Sequence, residues 1–94
     1  MADSNVTDKE FLSAAASGNA VFVEAALASG TDADTVDAYG NSALMMACAR
    51  GQLEVCKLLM NAGAKAGHQN KFGLGPRQWL NWAEDGTKIR NLLG

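Results

Sequence analysis

Two cysteines, one histidine and a few serines are the residues of this 94-residue chain that could carry covalent or metal chemistry. A thiol nucleophile needs a base beside it, and a structural metal needs four soft or nitrogen ligands at set spacing. A phosphate site needs a glycine loop opening a helix. The chain has Cys48 and Cys56, eight apart, and a lone His68 in a polar segment further on. No serine or cysteine has a recognisable base in its local motif, and no nucleophile elbow is present. Catalysis, a bound metal and a cofactor are therefore not expected. Cys48 and Cys56 fall at apolar positions, where free cysteine acts as a small hydrophobe, and two reduced core thiols are expected rather than a disulfide. The rival from another class is a small thiol enzyme using either one as nucleophile.

A second group of residues suits recognition. Tyr39 and Phe72 stand 33 residues apart, and Arg50 and Trp82 accompany them. Tyrosine, tryptophan and arginine are the types that most often carry interface binding energy. An exposed aromatic row is costly unless something covers it. Met45, Met46 and Trp79 read as core filler, and His68 as a surface loop residue.

The elements that must hold these residues recur with the same 33-residue step. Gly18 and Gly51, Gly30 and Gly63, and Gly40 and Gly73 are each 33 apart, whereas Gly86 comes two residues late. A fixed period of this size marks stacked units that bury their apolar faces on one another. Thr7-Asp8-Lys9-Glu10 is a capping box that opens a helix running to Gly18. A second helix over about Val21–Ala28 closes at Gly30. The middle unit predicts helices over about Ser42–Arg50 and Leu53–Asn61. In the third, Pro76 starts a helix continuing through Trp79, Leu80, Trp82 and Ala83, and a short helix covers about Thr87–Leu93.

The stretch from Asp37 to Ala64, DAYGNSALMMACARGQLEVCKLLMNAGA, resembles an ankyrin repeat. Ser42, Ala43 and Met45 stand in place of the threonine, proline and histidine of that family's Thr-Pro-Leu-His tetrad, and Leu44 is retained. The resemblance implies an all-α solenoid of about three helix-turn-helix units with short hairpin-like loops. The repeats span about 5–36, 37–69 and 70–94, and the outer two act as caps. Losing the histidine at position 45 removes a side chain that ties loops together in the family. The resemblance also implies protein binding through loop tips and the concave face of the first helices. Carried over by position, the loop tips are Ala38, Tyr39, Asn41, Lys71, Phe72 and Leu74, approached by Gln69. Ala49, Arg50 and Trp82 are the concave helix positions.

Composition excludes some partners. The net charge of −2 and scattered basic residues fit nucleic acid poorly. No stretch approaches the ~20 apolar residues of a membrane span. Yet the charge is divided. Residues 1–37 carry seven acids against one base, a net −6, and residues 38–94 carry seven bases against three acids, a net +4. Such a dipole can orient a protein partner. The expected protein is a monomer by itself, placed in the cytoplasm, or in the periplasm or outside the cell if a leader was removed. Its expected role is to mask a partner's surface, as an inhibitor or immunity-type protein does for an enzyme. An adaptor, or a fragment of a larger protein, is the alternative.

Overall fold

The computed structural model describes residues 7–80 and 86–93. Its helices are α1 (Asp8–Ser17), α2 (Ala20–Ala28), α3 (Ala43–Arg50), α4 (Leu53–Asn61), α5 (Pro76–Trp79) and α6 (Gly86–Leu93). The ends of α1 show the local chemistry that sets them. The Thr7 hydroxyl accepts from Glu10 N at 3.1 Å while the Glu10 carboxylate accepts from Thr7 N at 3.0 Å. Two helix-start donors that have no partner inside the helix are thereby satisfied. At the other end Gly18 adopts φ 81°, and its N–H reaches the Ala14 and Ala15 carbonyls, the left-handed closure glycine favours.

The middle unit departs from expectation at Met45. The Ser42 hydroxyl accepts from Met45 N at 3.2 Å, and the Met45 thioether accepts from Ser42 N at 3.5 Å. Methionine thus completes a reciprocal cap through sulfur, a weak acceptor, where the family pattern has histidine. Met45 is fully buried, as core filler should be, but Met46 is only half-buried. In the third unit Pro76 occupies the first turn of α5. The described part of that helix ends at Trp79, and the predicted continuation through Trp82 and Ala83 lies outside the described residues.

The helices stack in chain order. α1, α3 and α5 pack side by side in one layer, and α2, α4 and α6 in the other. Phe11, Val23, Leu44, Val55, Leu59 and Ile89 are under 2 % exposed, and alanines at 14, 15, 26, 43 and 47 fill the gaps between them. Alanine lets neighbouring helices approach closely without side-chain entropy to lose. Because the units lie in sequence order, the charge division becomes spatial: the acidic first unit stands at one end of the stack and the basic remainder beyond it.

The cysteines sit inside this core. Cys48 on α3 and Cys56 on α4 are free and fully buried, their sulfurs 3.9 Å apart, nearly twice a disulfide bond length. The hydrogen bond to Cys56, together with burial, pushes the Cys48 thiol well above its ordinary value of 9.0. A folded-state value raised above the unfolded one contributes stability below the unfolded value and loses it as pH rises past that point. The stability advantage of the parent over a Cys48→Ala variant should therefore shrink above pH 9.0, by up to about 1.4 kcal/mol per pH unit. Urea unfolding at stepped pH measures it. A thiol reagent should label both cysteines only after denaturation.

Candidate protein-binding face

Between the helix pairs the chain projects two short fingers, residues 36–42 and 69–75. Each is built around one acceptor at the same place in its unit. Asp37 Oδ1 accepts from Tyr39 N at 2.8 Å and Asn41 N at 2.9 Å. Thirty-three residues later, Asn70 Oδ1 accepts from Phe72 N at 2.8 Å and Leu74 N at 3.0 Å. Backbone bonds close each turn: Asp37 N donates to Asn41 O at 3.0 Å, and Asn70 N to Leu74 O at 2.8 Å. Gly40 turns the first finger at φ 80°, where a Cβ would lie 3.2 Å from the Asn70 Cα. The positive φ favours glycine, and any Cβ there would also press the Asn70 backbone back by a few tenths of an ångström.

The fingers are joined to each other. Lys71 N donates to Tyr39 O at 2.9 Å, and Asn70 Nδ2 to Asn41 Oδ1 at 2.8 Å, while Asn41 Nδ2 reaches Asp37 at 3.2 Å. His68, expected to be a surface loop residue, is instead half-buried with Nε2 2.8 Å from the Gly40 carbonyl. Since that oxygen can only accept, Nε2 carries the proton. The loop tie that position 45 cannot make is thus made from position 68, on the next finger's approach. Lower down, Lys65 N donates to Asp34 Oδ1 at 2.9 Å, 31 residues away.

This scaffold places the expected contact residues as follows. Tyr39 and Phe72 stand at successive tips, 60 % and 71 % exposed, with ring centroids 6.4 Å apart and planes 26° from parallel. That stacked geometry adds roughly 0.5–1.5 kcal/mol beyond burial. Lys71 and Gln69 are exposed beside Phe72, and Leu74 is 41 % exposed on the inner side of the second finger. Arg50 is exposed at the far end of α3, a helix length from the tips. Asn41 is half-buried with its amide held between Asp37 and Asn70, so its side chain braces the face. Trp82 lies outside the described residues.

Trp79 differs from expectation. It holds the position of Met46 one unit on, as read from the sequence, yet neither residue is sealed in the core: both are half-buried. Met46 lines a hollow with Leu12, Ser13, Ala16 and Val36, and Trp79 lines another with Ala49, Leu74 and Gln78. The Trp79 indole N–H is buried without a hydrogen-bond partner among the described residues.

Sequence reasoning passed over Asp37, Asn70 and His68. The signal for the first two was present, because an Asp and an Asn 33 apart, each two residues before an aromatic, repeat the same Asx turn. For His68 no local signal exists, since its partner is 28 residues away. Nucleophilic chemistry at Cys48 is disfavoured, because its hydrogen bond to Cys56 and its burial hold the thiol protonated where a nucleophile needs the thiolate, and both sulfurs are closed off from a substrate by the core.

The finger network generates a graded test. Asn70→Ala removes two backbone acceptor contacts and one side-chain bond, and should cost about 2–3 kcal/mol in chemical unfolding. Hydrogen exchange at the Phe72 and Leu74 amides should accelerate with it. Asn70→Asp keeps the acceptor, as Asp37 does in the first finger, and should cost less than half as much.

Against this geometry, the family model for ankyrin repeats, in three copies, matches residues 2–83. No curated protein matches the chain at a significant level.

Proposed function

The chain belongs to the ankyrin repeat family and is a protein–protein interaction module, and from that premise we propose that it acts by occlusion, lying across a partner protein and masking its working surface. The observation that carries this reading is the exposed Tyr39–Phe72 stack, held at 6.4 Å on fingers that are hydrogen-bonded to each other. A surface so braced loses little freedom on binding, so more of the contact energy appears as affinity. Two aromatic rings side by side supply the rigid, amphipathic area typical of hot spots. Rigid docking of that kind covers the partner without rearranging it, which suits inhibition of an enzyme by exclusion of its substrate.

The test is affinity capture with the parent protein and a Tyr39→Ala/Phe72→Ala variant, both shown folded by circular dichroism. The variant should lose the partner, its affinity falling by about 2 kcal/mol or more, at least some thirtyfold. The partner's own activity, titrated with the parent protein, should fall to a plateau at one equivalent and stay unchanged with the variant. A partner that keeps full activity and all its other contacts while bound would replace occlusion with recruitment, the adaptor role. Equal capture by both proteins would move the interface away from the fingers.

A further inference from the structure

The middle unit carries two thiols that the finger face does not use. Cys48, in the last turn of α3, and Cys56, in α4, are both fully buried with their sulfurs 3.9 Å apart. They meet across the turn at Gly51, whose φ of 69° ends α3 and reverses the chain. One unit earlier, 33 residues back, the same two places hold Ala15 and Val23, which are fully buried as well. Alanine and valine thus fill this contact between first and second helix, so packing by itself does not call for sulfur. Two thiols in contact have a reaction that alanine and valine lack. Bonded sulfurs stand about 2.05 Å apart, so closure draws this pair in by about 2 Å.

We infer that Cys48 and Cys56 form a reversible latch, which a small-molecule disulfide of the glutathione class oxidises to an internal disulfide that ties α3 to α4. Opening of the unit comes first, since both sulfurs are sealed in the core and a thiol exchanges only as an accessible thiolate. In the opened unit one cysteine gives up its proton, and its sulfur bonds to one sulfur of the glutathione disulfide. That S–S bond breaks, and the glutathione thiolate released takes up a proton. The second cysteine, deprotonated in turn, attacks the protein sulfur of the mixed disulfide and releases the second glutathione. Two protein thiols are thereby oxidised to one disulfide, and one glutathione disulfide is reduced to two thiols. The second exchange is intramolecular, between groups the fold already holds in contact, so it outruns capture by another glutathione. Once made, the bond closes the loop from residue 48 to residue 56 and restricts the opened chain. α3 packs on α1 and α5, and α4 on α2 and α6, so the bond joins the helix pair on which both outer units rest. This site lies apart from the fingers and does not depend on what they bind.

The test equilibrates the intact protein with oxidised and reduced glutathione at stepped ratios, in buffer and in urea below the unfolding transition. Samples are quenched with acid, alkylated and analysed by intact mass spectrometry. The expected product is a single chain two hydrogens lighter, with no mixed disulfide accumulating, an unchanged circular dichroism spectrum and full return on adding dithiothreitol. Oxidation should be faster in the sub-denaturing urea, because the opened unit is the reactive one. The unfolding constant from urea titration should fall about tenfold or more once the bond is made, and hydrogen exchange across α3 and α4 should slow with it. Cys48→Ala and Cys56→Val, which place the first unit's residues in the second, should each stop at the mixed disulfide and show no such change. Should either variant fail to fold, the mass, spectrum and unfolding constant of the parent still decide. No oxidation under excess glutathione disulfide, a disulfide between two chains, a mixed disulfide as end product, loss of the folded spectrum on closure, or an unchanged unfolding constant overturns the inference.

Discussion

A pair of helices eight to ten residues long has one apolar stripe per helix and no means of burying both by itself. Everything else in this protein follows from that deficit. α3 closes it for the middle unit by packing between α1 and α5, which leaves Leu44, Ala47 and Cys48 with no more than 1 % exposure. Isolated helices of this length are marginal in water, so the stack is the unit of stability and the order of units in space is the order in the chain. The separation of acidic and basic ends is a consequence of that order.

Stacking also creates the face that can bind. A helix pair repeated at a constant step brings equivalent residues side by side, so an aromatic at one tip acquires a neighbour at the next. Tyr39 and Phe72 stack for that reason, and the equivalent acceptors Asp37 and Asn70 are bridged by the Asn41 amide. The hydrogen bonds from Asn70 to Asn41 and from His68 to Gly40 then join the fingers into one body. Among the described residues, no buried side-chain nitrogen or oxygen of the two fingers is left without a partner, and a half-satisfied network would be costlier than none.

Substitution at a family position need not lose the role that position serves. Methionine at position 45 caps α3 through its sulfur, and the loop tie moves to His68. The two tasks are separable because they are two different hydrogen bonds, one within a unit and one between units. The thioether can accept but cannot donate, so it can do only the first.

Period, caps and glycine breaks were legible in the chain because each is local: a helix start needs only Thr7 and Glu10, a stop only Gly18, and the 33-residue step is arithmetic on residue types. They determined an all-α stack, the bounds of its first four helices to within a residue, and Tyr39 and Phe72 as aromatics left exposed. The linear order of charge was equally plain. What tertiary structure alone decided depends on pairs distant in sequence. His68 reads as a polar loop residue until Gly40 is brought to 2.8 Å, and that Asn41 joins the two fingers shows only once Asn70 is placed 2.8 Å from it. Met46 and Trp79 read as core until the junctions between units open beside them. Hydrophobic residues announce that they will be buried somewhere; only the geometry of stacking says which of them seal the interior and which are left to line a hollow.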